Sequence, residues 1–207
     1  MDFSELSHQT EIRDSLDKIL SEHCSQERLK EYDANYKHDE SLLSLLSTNG
    51  FLGLGINEKY GGSGEDLYDL GILFERLGYH AAPLSLSGCL ADVAQTIQKF
   101  SKEKSCNVIL SSIIAGEIYT SAILEPSNQD PENPITTATI ENNQVVITGT
   151  KYLSEIASIA KSILISASSN EGVLLVLVDT DQVKLTELTS TANSPLFKVE
   201  LNSVCVD

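Results

Sequence analysis

Basic residues are scarce in this chain. Lys and Arg together number 14 against 30 Asp and Glu, which leaves a formal net charge of −16. Nucleic-acid binding needs clustered Lys and Arg against phosphates, so the imbalance argues against that class. It argues equally against an anionic membrane surface. The plain reading of so many acids is a solubilising surface. Metal-site spacing is missing as well. Cys24, Cys89, Cys106 and Cys205 are scattered with no CxxC pair, and His8, His23, His38 and His80 form no HExxH, so no metal ligand is assigned. No run of residues approaches the roughly 18 apolar positions of a membrane span. The start, Met1-Asp2-Phe3-Ser4-Glu5, is acidic and has no apolar core. It therefore reads as neither a signal peptide nor an Arg-rich transit peptide. Together these absences predict a soluble, cytoplasmic protein with reduced thiols.

What is present is ordinary in amount and informative in order. A hydrophobic content of 41% and a charged content of 21% suit a globular chain, and 207 residues suit one large domain or two small ones. Up to about residue 117 the apolar residues repeat with a helical period. Ile12, Leu16, Ile19, Leu20 and His23 share one face of a helix over 5–24. A short polar helix follows, with Tyr32 and Tyr36 four apart. Asp39 caps a helix carrying Leu42, Leu43, Leu45 and Leu46, and Asn49-Gly50 stops it. Asp66 caps another, with Leu67, Leu70, Leu73, Phe74 and Leu77 in a stripe ending at Gly78. Helices over 87–100 and 105–115 complete a bundle of five or six; Phe100 and Val108 count among their inward residues. The Gly61-Gly62-Ser63-Gly64 loop invites a phosphate-binding reading. It matches neither GxxxxGK[ST] nor a strand–GxGxxG–helix context, and spacing alone makes it a turn.

After Gly116 the period changes to short β-branched runs cut by Gly, Asn, Asp and Pro. Strands are predicted at 119–124, 136–141, 144–148, 163–168, 173–179, 184–188 and 197–201, with hairpin turns at Glu141-Asn142-Asn143-Gln144 and Asn170-Glu171-Gly172. Residues 154–161 read as a helical turn or a loop. The fold class is therefore α+β: an all-α helical bundle over 1–117, then a small antiparallel β-barrel or sandwich over 118–207.

Three segments in fixed order carry a resemblance. The first is Asn49 to Gly64 with the following Phe74-Glu75-Arg76-Leu77-Gly78. The second is Ile114-Ala115-Gly116-Glu117 with Ala122-Ile123-Leu124-Glu125-Pro126. The third is Thr148-Gly149-Thr150-Lys151 with Ala160 nine residues on. Together they resemble the acyl-CoA dehydrogenase family over nearly the whole chain. That family has an N-terminal helical domain, a middle β-domain and a C-terminal helical bundle, and this chain is similar to the first two.

The resemblance implies FAD as cofactor, an acyl-CoA thioester as substrate, electron-transferring flavoprotein as acceptor, and a homo- or hetero-oligomer. The chemistry implied is α,β-desaturation with hydride transfer to the flavin. The family's catalytic base lies in, or is reached through, the third domain, so no residue here is assigned as catalytic and the chain alone is expected to be inactive.

The resemblance implies flavin-facing positions at Ile123, Leu124, Leu153, Ser154 and Glu155. Leu124 replaces a threonine, Leu153 a tryptophan and Glu155 a threonine; a one-residue shift would instead put Ser154 at the hydroxyl position. Main-chain groups of Ile123 and Leu124 remain available in principle. On residue type alone, Leu124 and Leu153 read as β-core, Glu155 as a solvated loop acid and Lys151 as exposed. The resemblance puts Asp130 among substrate-binding positions, where it would repel a nearby CoA phosphate. Two functions follow: a flavin-dependent acyl-CoA dehydrogenase lacking its last domain, or a non-catalytic subunit that pairs with an active partner and has lost flavin contacts.

Overall fold

The computed structural model describes residues 5–35, 38–64, 66–128, 130–141, 144–191 and 194–206. The chain forms two compact units, Met1–Gly116 and Glu117–Asp207. Among the described residues the first unit contains α1 (Ser7–His23), α2 (Gln26–Asn35), α3 (Glu40–Thr48), α4 (Leu67–Tyr79), α5 (Gln95–Phe100) and α6 (Glu103–Ile114). A wider, π-helical stretch, Ser87–Ala94, runs directly into α5. Tyr36 of the expected tyrosine pair lies outside the described residues.

Leu16 and Leu20 of α1 are fully buried, as are Leu42 and Leu46 of α3 and Leu73 of α4. Polar contacts join α1 to α4. Arg76 donates to Asp17 at 3.1 Å, and Gln9 donates to Asp69 at 3.1 Å. Asp39 caps α3 as its position suggested, accepting from the amides of Ser41 and Leu42, each at 3.0 Å. Three apolar assignments fail: Leu67, Phe100 and Val108 are 60%, 70% and 65% exposed. Leu67 and Phe100 lie at helix ends, where the periodic face is no longer covered, and Val108 lies midway along α6 on the side opposite the buried Cys106 and Leu110. The stop at Gly78 is also early, since α4 reaches Tyr79 and caps on His80.

The Gly-rich loop packs as a knot. Successive amides of Tyr60, Gly61, Gly62, Ser63 and Gly64 all donate to carbonyls of residues 53–58. A Cβ on Gly62 would stand 2.1 Å from the Ile56 carbonyl oxygen, so only glycine fits. With those five amides spent, the loop has no nest for a phosphate.

Among the described residues the second unit is one curled seven-stranded sheet: β1 (Tyr119–Ala122), β2 (Thr137–Glu141), β3 (Gln144–Glu155), β4 (Ser162–Ser169), β5 (Gly172–Asp179), β6 (Lys184–Leu188) and β7 (Leu196–Val206). The order is β1-β4-β2-β3-β7-β6, with β5 paired to β4. Most ladders are antiparallel. β1 runs parallel to the first half of β4, and Thr137 of β2 meets Ser168 in parallel at its far end. The sheet is therefore mixed. The long connection after β1 returns the chain to β4 in the parallel sense, and no hairpin signal in the sequence marks it. Glu141 pairs with Gln144, as a tight hairpin requires, while Asn142 and Asn143 lie outside the described residues.

One face buries Ala138, Ile147, Ile163, Ile165, Ala167, Val178, Phe197, Val199 and Leu201. Strands β3 and β7 both run well past their expected ends. A register break joins the two extensions: Ile147 faces Val204 while Gly149 faces Leu201, two steps on β3 against three on β7. The extra residue is absorbed near Ser203, whose φ is +53°.

Candidate functional site

The site implied by the resemblance lies in the second unit, where the end of β1, the loop 123–136 and the far half of β3 meet. Its centre is the Glu125 carboxylate. Glu125 accepts from the Lys151 ammonium at 2.8 Å, the Thr136 amide at 2.7 Å, the Ile135 amide at 2.6 Å and the Asn128 side-chain amide at 2.9 Å. Lys151 is fully buried. Its other two donors reach Ser166 Oγ at 3.1 Å and the Ile123 carbonyl at 3.3 Å.

A buried charge needs a partner and full hydrogen bonding. This pair has both. Burial alone would push the Glu125 carboxyl up; the ammonium of Lys151 and the amides of Ile135 and Thr136 outweigh it and hold its pKa at about 2. Burial pushes the Lys151 ammonium below its usual value, and Glu125 acts against that shift. With every ammonium donor used and four donors on the carboxylate, neither group is placed to act as a general acid or base.

Lys151 is therefore not exposed. No strand pattern shows that an acid 26 residues earlier and a serine 15 residues later close over it. Two motif fragments that carried the resemblance, Glu125-Pro126 and Gly149-Thr150-Lys151, touch each other here. Gly149 is also required sterically, since a Cβ there would lie 2.4 Å from Thr136 Oγ1.

Around this centre the expected flavin-facing residues are distributed as follows. The Leu124 carbonyl accepts from the Tyr152 amide at 2.8 Å, and the Ile123 carbonyl is held by Lys151. Leu124 and Leu153 are not core: they are 46% and 47% exposed. Leu153 has φ +58°, next to the break in pairing between Lys151 and Ser154, and that break turns its side chain out of the strand's alternation. Ser154 is buried, and its hydroxyl donates to the Ser121 carbonyl at 2.9 Å. Glu155 ends β3 and is half-buried, so it is not a free loop acid; its carbonyl accepts from the Thr120 hydroxyl at 2.8 Å. Asp130 is exposed. Its carboxylate accepts from the Asn133 side chain at 2.8 Å and the Glu132 amide at 3.0 Å, which lowers its pKa and keeps it an anion. The structure thus gathers residues 123, 124, 153, 154 and 155 at one end of the sheet. Asp130 belongs to a self-bonded loop beyond them.

Among the described residues no group of three or more His, Cys, Asp and Glu could hold a metal ion. None of the described helices is long and apolar enough to cross a membrane.

Comparison with known proteins follows the same lines. Residues 7–117 match the acyl-CoA dehydrogenase N-terminal domain. No curated protein sequence matches the chain. Among solved structures, the Tcur3481-Tcur3483 steroid ACAD G363A variant is 27% identical with a TM-score of 0.90, over 96% of this chain and 55% of that one. The ChsE4-ChsE5 complex from Mycobacterium tuberculosis is 22% identical with a TM-score of 0.92, over 100% of this chain and 57% of that one. A glutaryl-CoA dehydrogenase from Mycobacterium smegmatis in complex with FADH2 is 18% identical with a TM-score of 0.84, over 98% and 54%. The last two likenesses concern the fold. The chain spans little more than half the length of each of these structures. More than half of the chain falls within the family's N-terminal domain, and its helices and curled sheet superpose on these relatives: the chain belongs to the acyl-CoA dehydrogenase family.

Proposed function

We propose that this chain is a non-catalytic acyl-CoA dehydrogenase-like subunit that pairs with an active partner and has lost side-chain contacts to flavin. One observation carries the reading. Of the five positions where the resemblance implies flavin contacts, Ser154 commits its hydroxyl inside the sheet, and Leu124 and Leu153 stand half-exposed as aliphatic side chains. The Ser154 and Thr120 hydroxyls and the Lys151 ammonium all donate to groups of the same unit. Leu124 and Leu153 are the half-exposed residues. An isoalloxazine ring has a polar edge, and a polar group buried without a partner costs free energy. The side chains of Leu124 and Leu153 offer no hydrogen bond to that polar edge, and no reaction step is derived through FAD. Asp130, an exposed anion, likewise adds repulsion toward a CoA phosphate. Pairing is supported by the heteromeric ChsE4-ChsE5 complex, which shares the fold.

The second reading is a flavin-dependent acyl-CoA dehydrogenase with electron-transferring flavoprotein as acceptor. The exposed Leu124 and Leu153 favour it, because an apolar surface suits the flat face of a flavin. The glutaryl-CoA dehydrogenase holding FADH2 has the same fold.

The test is to purify the chain in the presence of FAD, record its visible spectrum, and assay reduction of an artificial acceptor with acyl-CoA. The first reading expects no retained flavin band and no turnover. A stoichiometric flavin band with acyl-CoA-dependent turnover would overturn it.

A further inference from the structure

We propose that Glu125 and Lys151 are positioning residues: the pair sets where Leu124, Leu153 and the loop 125–136 stand, and its value lies in placing that wall more than in holding the sheet together. The inference rests on geometry and stands whether or not the wall meets a flavin.

The ammonium of Lys151 reaches three separate pieces of chain. It bonds the Ile123 carbonyl at the exit of β1, the Glu125 carboxylate at the start of the loop, and Ser166 in the middle of β4. The carboxylate in turn collects the loop's far end through the amides of Ile135 and Thr136, and its middle through Asn128. Asn128 passes the order on, donating also to the Asn133 carbonyl at 2.9 Å and accepting from the Asp130 amide at 3.0 Å. Leu124 lies between the two groups that Lys151 holds, Ile123 and Glu125. Leu153 follows Tyr152, whose amide donates to the Leu124 carbonyl. Both exposed leucines thus hang on the same four-donor carboxylate.

A pair that merely held the sheet together could be exchanged for an apolar pair of similar volume, since such replacements are often neutral or stabilising. A positioning pair can be exchanged in this way without losing stability but not without losing position, because no apolar side chain accepts the Ile135 and Thr136 amides.

The experiment compares wild type with K151M/E125L by thermal unfolding and by residue-resolved amide exchange. We expect the double variant to recover most of the melting temperature that K151M alone loses. Its Ile135 and Thr136 amides should nevertheless exchange about tenfold faster or more, which is the loss of a charge-assisted hydrogen bond. Recovery of melting temperature together with wild-type protection at both amides would overturn the proposal. Should the double variant not fold, E125Q carries the same test. A side-chain amide keeps only one acceptor oxygen, so at least one of the two loop amides must lose protection, with core amides of β4 unchanged. Unchanged exchange at both, or equal loss throughout the sheet, counts against positioning.

Discussion

Replacing Lys151 by Met removes a charge from a buried ion pair. Lys151 and Glu125 have side chains 0% and 3% exposed, with 2.8 Å between Nζ and Oε1. Breaking a buried pair by removing one partner costs about 3–5 kcal/mol, because the other charge stays behind in a dry site. Here Glu125 keeps the amides of Ile135 and Thr136 and the side chain of Asn128, which places the expectation near the lower end, about 3 kcal/mol. For a chain of this size one kcal/mol moves the melting temperature by about 2–4 °C, so the drop should be roughly 6–12 °C.

The pH dependence sharpens the test. In the wild type the carboxyl is depressed from an ordinary 4.5 to about 2. A depressed carboxyl contributes stability that is fully present above 4.5 and is lost as pH falls through about 2. In K151M the ammonium is gone and burial raises the carboxyl, so protonation in the fold comes early and relieves the buried charge. The gap between wild type and K151M should therefore narrow as pH falls from about 4.5 toward 2. Urea midpoints across that range measure it. A K151M deficit below about 1 kcal/mol at neutral pH, or a gap that widens on acidification, would refute the reasoning.

Two further substitutions probe the first unit. Gly62→Ala puts a methyl group 2.1 Å from the Ile56 carbonyl oxygen; the loop must move, and urea unfolding should show a loss of about 1–3 kcal/mol. Asp39→Ala removes the cap of α3 and the partner of Arg28, whose guanidinium lies 2.9 Å from that carboxylate. It should cost about 1–2 kcal/mol, while Asp39→Asn, which caps as well, should recover the cap's share in the same unfolding measurement.

What the sequence made legible was local. Asp39 and Asp66 announce their helices because a short acceptor before an apolar stripe satisfies amides within the next three residues. The change of apolar period after Gly116 reads as a border between bundle and sheet. Hidden were features set by distant partners. Thr148-Gly149-Thr150-Lys151 and Asn202-Ser203 both look like strand endings. Each continues because the other supplies a matching irregularity across the ladder. Lys151 looked like a surface residue for the same reason: its acceptors, Glu125 and Ser166, come from other strands and loops. Leu124 and Leu153 looked like core because aliphatic side chains in strands usually are, and only the break in pairing beside Leu153 turns that end of the sheet outward. The motif residues were visible as motifs, but the hydrogen bonds joining Glu125 to Lys151 were not.

Half-exposed Leu124 and Leu153 beside a buried Ser154 carry the proposed reading, at positions where the resemblance implies flavin contacts. Calorimetric titration of FAD into the wild-type chain and into L124T/L153W tests it most directly. The account expects no saturable heat with the wild type and measurable affinity once a hydroxyl and an indole are restored. Stoichiometric FAD binding by the wild type, or no difference between the two proteins, would contradict it.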